Sequence, residues 1–250
     1  MSESYLEWLS RATPGRWWVD TGSVEEIDSA LADGAVGVTM NPLLLARGLA
    51  DAHAGTARIV SAGGALPAPG GQRAIEITRR VAIDVARRLE SVYESSSGDG
   101  GYVCAQVNPS IADEADAMII QAREFDSWAP NVIVKLPVTE AGLAALEACV
   151  AHGINIVATV SFSLPQALAV GEAHRRGSQA AREAGRTPGR CYAVIMLGRL
   201  DDHLKRVADG VSEESIDQAA IAVAKRARSL FAERGYEATI LPSGMRHAGH

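Results

Sequence analysis

The stretch Asn131-Val-Ile-Val-Lys-Leu-Pro137 (NVIVKLP, residues 131–137) decides how the chain is read. Side chains alternate along a strand, so Ile133 and Lys135 share one face while Val132 and Val134 share the other. Apolar residues on both faces mark a strand of a parallel sheet covered by helices on either side. Lys135 stands near the C-terminal end of that run, where barrels of alternating strands and helices keep their active sites.

On either side, apolar β-rich runs alternate with longer segments of helical period, the pattern of successive βα units. The runs expected as strands are residues 17–21, 36–40, 102–107, 131–136, 154–160, 191–197 and 238–241. Helices are expected over 23–33, 72–95, 112–128, 140–152, 164–184 and 214–234, with a further N-terminal helix at about 3–11. Ser23, followed three residues later by Glu26, predicts a capping box. Ser61–Gly71 (SAGGALPAPGG) and Ser95–Gly101 (SSSGDGG) read as loops by composition. The expected fold is a single-domain α/β (β/α)8 TIM-type barrel over residues 1–250. Seven units are in view and the eighth is missing at the C-terminus, because the sequence ends early or because something else fills the gap.

The 250 residues are enough for one large domain with a substantial core. A formal charge of -6 argues against nucleic acid or an anionic membrane surface as partner. The longest apolar runs fall far short of the roughly 20 residues that a membrane span needs, and the N-terminus has no secretory signal pattern. Cys104, Cys149 and Cys191 are widely spaced with no CxxC, which reads as reduced, buried thiols in a cytoplasmic protein and disfavours a zinc site. Oligomeric state is left open, a homo-oligomer among the options.

One feature of composition sharpens the reading of Lys135. Of 24 basic residues only three are lysines, Lys135, Lys205 and Lys225. Lys205 and Lys225 sit in polar helical segments beside arginines, as solvated charges do. An amine enclosed by apolar groups loses the hydration of its charged form and becomes nucleophilic near neutral pH. It then attacks a ketone to give an iminium, an electron sink that makes the neighbouring C–C bond breakable. The bland alternative is a lysine reaching from a strand end to solvent.

Several separated motifs, in order, resemble the transaldolase family: Trp18-Val-Asp-Thr-Gly22; Val38-Thr-Met-Asn-Pro42; Val132-Ile-Val-Lys-Leu-Pro137 followed by Thr139, Gly142 and Leu143; Gly153-Ile-Asn155 with Thr159 and Phe162-Ser163; Gly198-Arg199; and Ser243-Gly-Met-Arg246. The resemblance covers about Trp17 to Arg246. It implies that Lys135 forms a Schiff base with a ketose donor, with no metal and no organic cofactor. Asp20 would act as a buried proton acceptor and donor beside it. Thr159 would hold a catalytic water that Gln106 orients. Asn41 and Thr39 would bind substrate hydroxyls, with Met196 lining the pocket. Arg199 and Arg246, with Ser243, would grip the phosphate of a phosphorylated sugar.

The departures from the family pattern are informative. Gln106 stands where larger transaldolases carry a glutamate, as in the fructose 6-phosphate aldolase branch. Val157 replaces an asparagine, Val194 a serine and Met196 an aromatic residue, so a less polar pocket is expected. Three functions are carried forward: transfer of a dihydroxyacetone unit between sugar phosphates, aldol cleavage and addition with free dihydroxyacetone, and a noncatalytic barrel that binds or scaffolds.

Overall fold

The computed structural model describes residues 5–50 and 70–246. Its strands are β1 (Val19–Asp20), β2 (Gly37–Thr39), β3 (Tyr102–Gln106), β4 (Val132–Pro137), β5 (Ile156–Thr159), β6 (Cys191–Met196) and β7 (Thr239–Ser243). All seven lie within two residues of the expected bounds. The hydrogen-bonded order is β1-β2-β3-β4-β5-β6-β7, the chain order, and the pairings that join β1 to β3 and β4 to β7 are parallel. Parallel neighbours in chain order, each separated by helix, make this an α/β fold of the TIM-barrel type with seven strands among the described residues.

The helices are α1 (Tyr5–Ala12), α2 (Val24–Ala32), α3 (Pro42–Ala50), α4 (Gly70–Arg88), α5 (Glu90–Ser95), α6 (Ala115–Asp126), α7 (Glu140–Ala151), α8 (Leu164–Glu183), α9 (Leu197–Val207) and α10 (Glu213–Arg234). Two were not expected. α3 is PLLLARGLA, nearly all apolar and without a clear 3.6-residue period, but Asn41 caps it. α9 starts at Leu197, where the expected strand had not yet ended. The single helix expected over 72–95 is broken at Leu89, which is fully buried with ψ near −4°. At Ser23 only half of the capping box forms: Ser23 accepts from the Glu26 amide, while the Glu26 carboxylate takes the Thr21 hydroxyl instead. The loop expected over Ser61–Gly71 lies outside the described residues, except for Gly70 and Gly71, which open α4.

The described chain divides into two compact units. The first holds the described residues up to Gln106 together with Glu124–Ile133. Its core gathers Ile27, Val38, Val81, Val85, Leu89, Tyr102 and Phe125, each at most 3% exposed. Asn131 ties α4 to the start of β3, its amide donating to the carbonyls of Ala86 and Gly101 at 2.8 Å each. A buried side-chain amide with both donors used avoids the desolvation cost of an orphan polar group.

The second unit holds Val107–Arg123 and the described residues from Val134 onward. Its sheet register aligns Lys135 with Val157, Pro137 with Thr159 and Met196 with Ser243. α8 opens with the reciprocal cap of Ser163 and Gln166, and Val134, Leu136, Leu146, Val150, Ile156, Val170 and Ile195 fill the core. All three cysteines are buried, each at most 3% exposed, and burial pushes the Cys191 thiol above the usual range.

Candidate active site

In the first unit, Asp20 is the last residue of β1 and is in register with Thr39, the last residue of β2. The Thr39 hydroxyl donates to Asp20 Oδ1, so a neighbouring strand fixes the carboxylate. Thr39 is 9% exposed, whereas Asp20 is exposed. The buried acid expected from sequence is therefore corrected: β1 is two residues long and ends at Asp20, whose side chain lies past the apolar packing.

Asn41 follows β2 directly. Its Oδ1 accepts from the amides of Leu43 and Leu44 at 3.0 Å each and so caps α3. Capping uses only the oxygen, and the amide donors of Asn41 have no partner among the described residues. With Met40, Pro42, Leu45, Thr78, Cys104 and Gln106, Asn41 lines a cleft of about 30 Å³, room for one water. Gln106 ends β3. Thr78, brought in by α4, was invisible in sequence because nothing there places α4 beside β2 and β3.

In the second unit, Lys135 lies on β4 and is 9% exposed, between Val134 and Leu136, which are at most 1% exposed. Its strand neighbour Val157 is fully buried and, in a parallel ladder, projects to the same side. The Lys135 carbonyl accepts from the Val107 amide at 3.2 Å. Among the described residues no carboxylate pairs with its Nζ. Thr159 ends β5 in register with Pro137 and is 5% exposed, and its hydroxyl makes no hydrogen bond among the described residues.

The turn after Thr159 is held by a residue that sequence reading passed over. Ser161 is fully buried, donates from Oγ to the Val194 carbonyl at 2.5 Å, and accepts from the Met196 amide at 3.0 Å. Between Thr159 and Ser161, Val160 is held at φ 60°, a conformation that β-branched residues seldom adopt. Anchoring on both sides offsets that strain. Ser161→Ala should lower the unfolding free energy by about 1–2 kcal/mol, since the buried side-chain hydrogen bond is lost. Denaturant titration checks this, and an unchanged midpoint would mean that the bond contributes nothing.

Met196 ends β6 and Ser243 ends β7, both half-buried. Arg199 projects from the first turn of α9, and Arg246 follows β7 by three residues. The two guanidiniums converge on one oxygen: Asp202 Oδ2 lies 2.8 Å from Arg246 Nη2 and 3.9 Å from Arg199 Nη1. The hydrogen bond from Arg246 holds the Asp202 carboxyl below its ordinary pKa. Asp202 was not foreseen in the sequence. No group of His, Cys, Asp and Glu fit to hold a metal ion occurs among the described residues, and no described helix is long and apolar enough to cross a membrane.

Each expected site residue on a strand thus lies at or near that strand's C-terminal end, with the arginines just beyond. Residues 17–250 match the transaldolase/fructose-6-phosphate aldolase family. The chain belongs to that family. Among curated transaldolases it is 30% identical over 240 residues to that of Mycolicibacterium paratuberculosis (strain ATCC BAA-968 / K-10), covering 90% of this chain and 61% of the relative. It is 31% identical over 227 residues to the transaldolase of Thermobifida fusca (strain YX), covering 85% and 60%. It is 32% identical over 234 residues to that of Mycobacterium leprae (strain Br4923), covering 86% and 60%. The chain therefore spans about three fifths of the length of these relatives. For a member of the transaldolase/fructose-6-phosphate aldolase family, the placement of its lysines is telling. Lys205 pairs with Asp217 at 3.3 Å and Lys225 is exposed on α10, which leaves Lys135 as the only lysine on a strand.

Proposed function

We propose that the chain transfers a dihydroxyacetone unit from a ketose phosphate to an aldose phosphate through a Schiff base on Lys135. The observation that carries this reading is Lys135 itself: 9% exposed, on an otherwise apolar strand, with no carboxylate partner among the described residues. An amine so placed, shielded by apolar neighbours and not tied up by a carboxylate, is positioned to attack a ketone carbon. Loss of water from the carbinolamine gives the iminium. Asp20 then takes the proton from the hydroxyl next to the bond that breaks, and the donor's remaining carbons leave as an aldehyde. The enamine on Lys135 attacks the acceptor aldehyde, Asp20 returns the proton, and water releases the product. In this scheme Thr159 holds the water, Gln106 orients it, and Asn41 and Thr39 bind hydroxyls. Met196 lines the pocket, and Ser243, Arg199 and Arg246 bind the phosphate. The proposed location is the cytoplasm, and the scheme needs no metal or organic cofactor.

Gln106 favours a second reading, aldol cleavage and addition with free dihydroxyacetone, because a neutral amide orients water but cannot accept its proton. Product analysis without an acceptor aldehyde separates the two, since only the aldolase releases the ketone. The test of the shared chemistry is borohydride reduction in the presence of fructose 6-phosphate or dihydroxyacetone, followed by peptide mapping. A reduced adduct on Lys135 is expected. Folded protein that gives no adduct with either ketone would sink both readings and favour a noncatalytic barrel.

A further inference from the structure

Arg246 does not reach into solvent unsupported. A Cβ added to Gly198, in the first turn of α9, would lie 2.1 Å from the Gly244 carbonyl oxygen, 2.8 Å from Arg246 Cγ and 3.0 Å from Arg246 Nε. The stem of Arg246 therefore crosses α9 where that helix lacks a side chain. One helical turn further on, Asp202 takes the guanidinium at 2.8 Å, and Arg199 Nη1 lies 3.9 Å from the same carboxylate oxygen. Asp201, buried beside it, adds a second negative charge that favours the charged guanidinium.

We infer that Gly198 and Asp202 form a seat on α9 that sets Arg246, and with it Arg199, to receive a phosphate, making Asp202 a positioning residue for phosphorylated substrates. The inference rests on the reading of the two arginines as the phosphate-binding pair. Asp202 accepts from Nη2 of Arg246, one of the five N–H donors that a guanidinium carries. Holding a long, rotamer-rich side chain in place before binding removes an entropic cost that the substrate would otherwise meet. Because Arg246 depresses the carboxyl pKa of Asp202, the seat stays charged at neutral pH and is lost only as pH falls below the ordinary carboxylate range.

The experiment compares Asp202→Ala, Asp202→Glu and Arg246→Ala with the unaltered protein, on fructose 6-phosphate and on fructose. Asp202→Ala should raise KM for fructose 6-phosphate roughly tenfold more than KM for fructose, with the change carried by KM rather than kcat. Asp202→Glu should recover part of the loss. Titration calorimetry with inorganic phosphate gives the same comparison without turnover. A phosphate-selective loss in Arg246→Ala with none in Asp202→Ala would overturn the seat and leave the phosphate pair standing. Equal loss on both sugars in Asp202→Ala, or tighter phosphate binding, would also overturn it. No selective loss in Arg246→Ala would remove the phosphate pair, and the seat with it.

Discussion

Lys135→Ala is expected to reduce turnover by roughly 10⁴-fold or more, the scale on which loss of a covalent nucleophile acts, while the protein stays folded. The two halves of that expectation have separate grounds. Lys205 and Lys225 lie in exposed helical positions, so neither replaces the lost amine on β4. Stability should hold because the amine has no ion-pair partner among the described residues that truncation would orphan. The apolar neighbours Val134, Leu136 and Val157 keep the strand in its sheet. Lys135→Met retains most of the stem volume and should be as inactive as the alanine variant, which separates chemistry from packing. Steady-state rates, thermal melts and loss of the borohydride adduct check this together. A folded variant that turns over like the wild type would end the Schiff-base proposal.

Gly142→Ala carries the second large effect, this time on stability. A Cβ at Gly142 would lie 1.9 Å from the Pro137 carbonyl oxygen, 3.0 Å from its carbon and 3.1 Å from Thr139 Oγ1. The obstruction is backbone, so no flexible side chain can move aside. If α7 withdraws, it breaks a cap in which the Thr139 hydroxyl accepts from the Gly142 amide at 2.9 Å and donates to the Ala112 carbonyl at 2.7 Å. If β4 yields instead, its end moves two residues from Lys135. Either route should cost about 3 kcal/mol or more, lowering Tm by roughly 6–12 °C for a chain of this size, with activity falling as well. An unchanged melting curve would show that α7 does not press on β4 as described.

The strands were legible because a parallel sheet leaves a plain mark: short runs such as Ile154–Val160 and Cys191–Leu197, apolar on both faces and bounded by turn residues. The candidate residues on those strands were singled out differently. Lys135 stood out as a rare lysine on an apolar strand, whereas Asp20, Gln106 and Thr159 were named by the family resemblance, since an Asp at a strand end or a Thr within a strand is more often structural. What escaped the sequence depended on tertiary approach. α3 has almost no amphipathic period and is set by a side-chain cap, and α9 begins where the chain still reads as strand. Ser161, Thr78 and Asp202 look like ordinary polar residues until β6, the cleft beside β3 and Arg246 are in place. The exposure of Asp20 was missed because alternation gives the face of a residue but not the length of its strand. Resemblance to the family named the arginines, while only the structure brought them to one carboxylate oxygen.

The burial of all three cysteines has a practical side in chemical labelling. A thiol must ionise to react with haloacetamides or disulfides, and at Cys191 burial holds it in the protonated form. Such reagents should therefore leave the native protein almost unmarked and become reactive only as it unfolds. An amine-seeking electrophile meets just three lysines, two of them on exposed helices. Amine modification of the folded chain can thus be followed by mass with little competition from sulfur, and delayed thiol modification becomes a direct readout of how often the core opens.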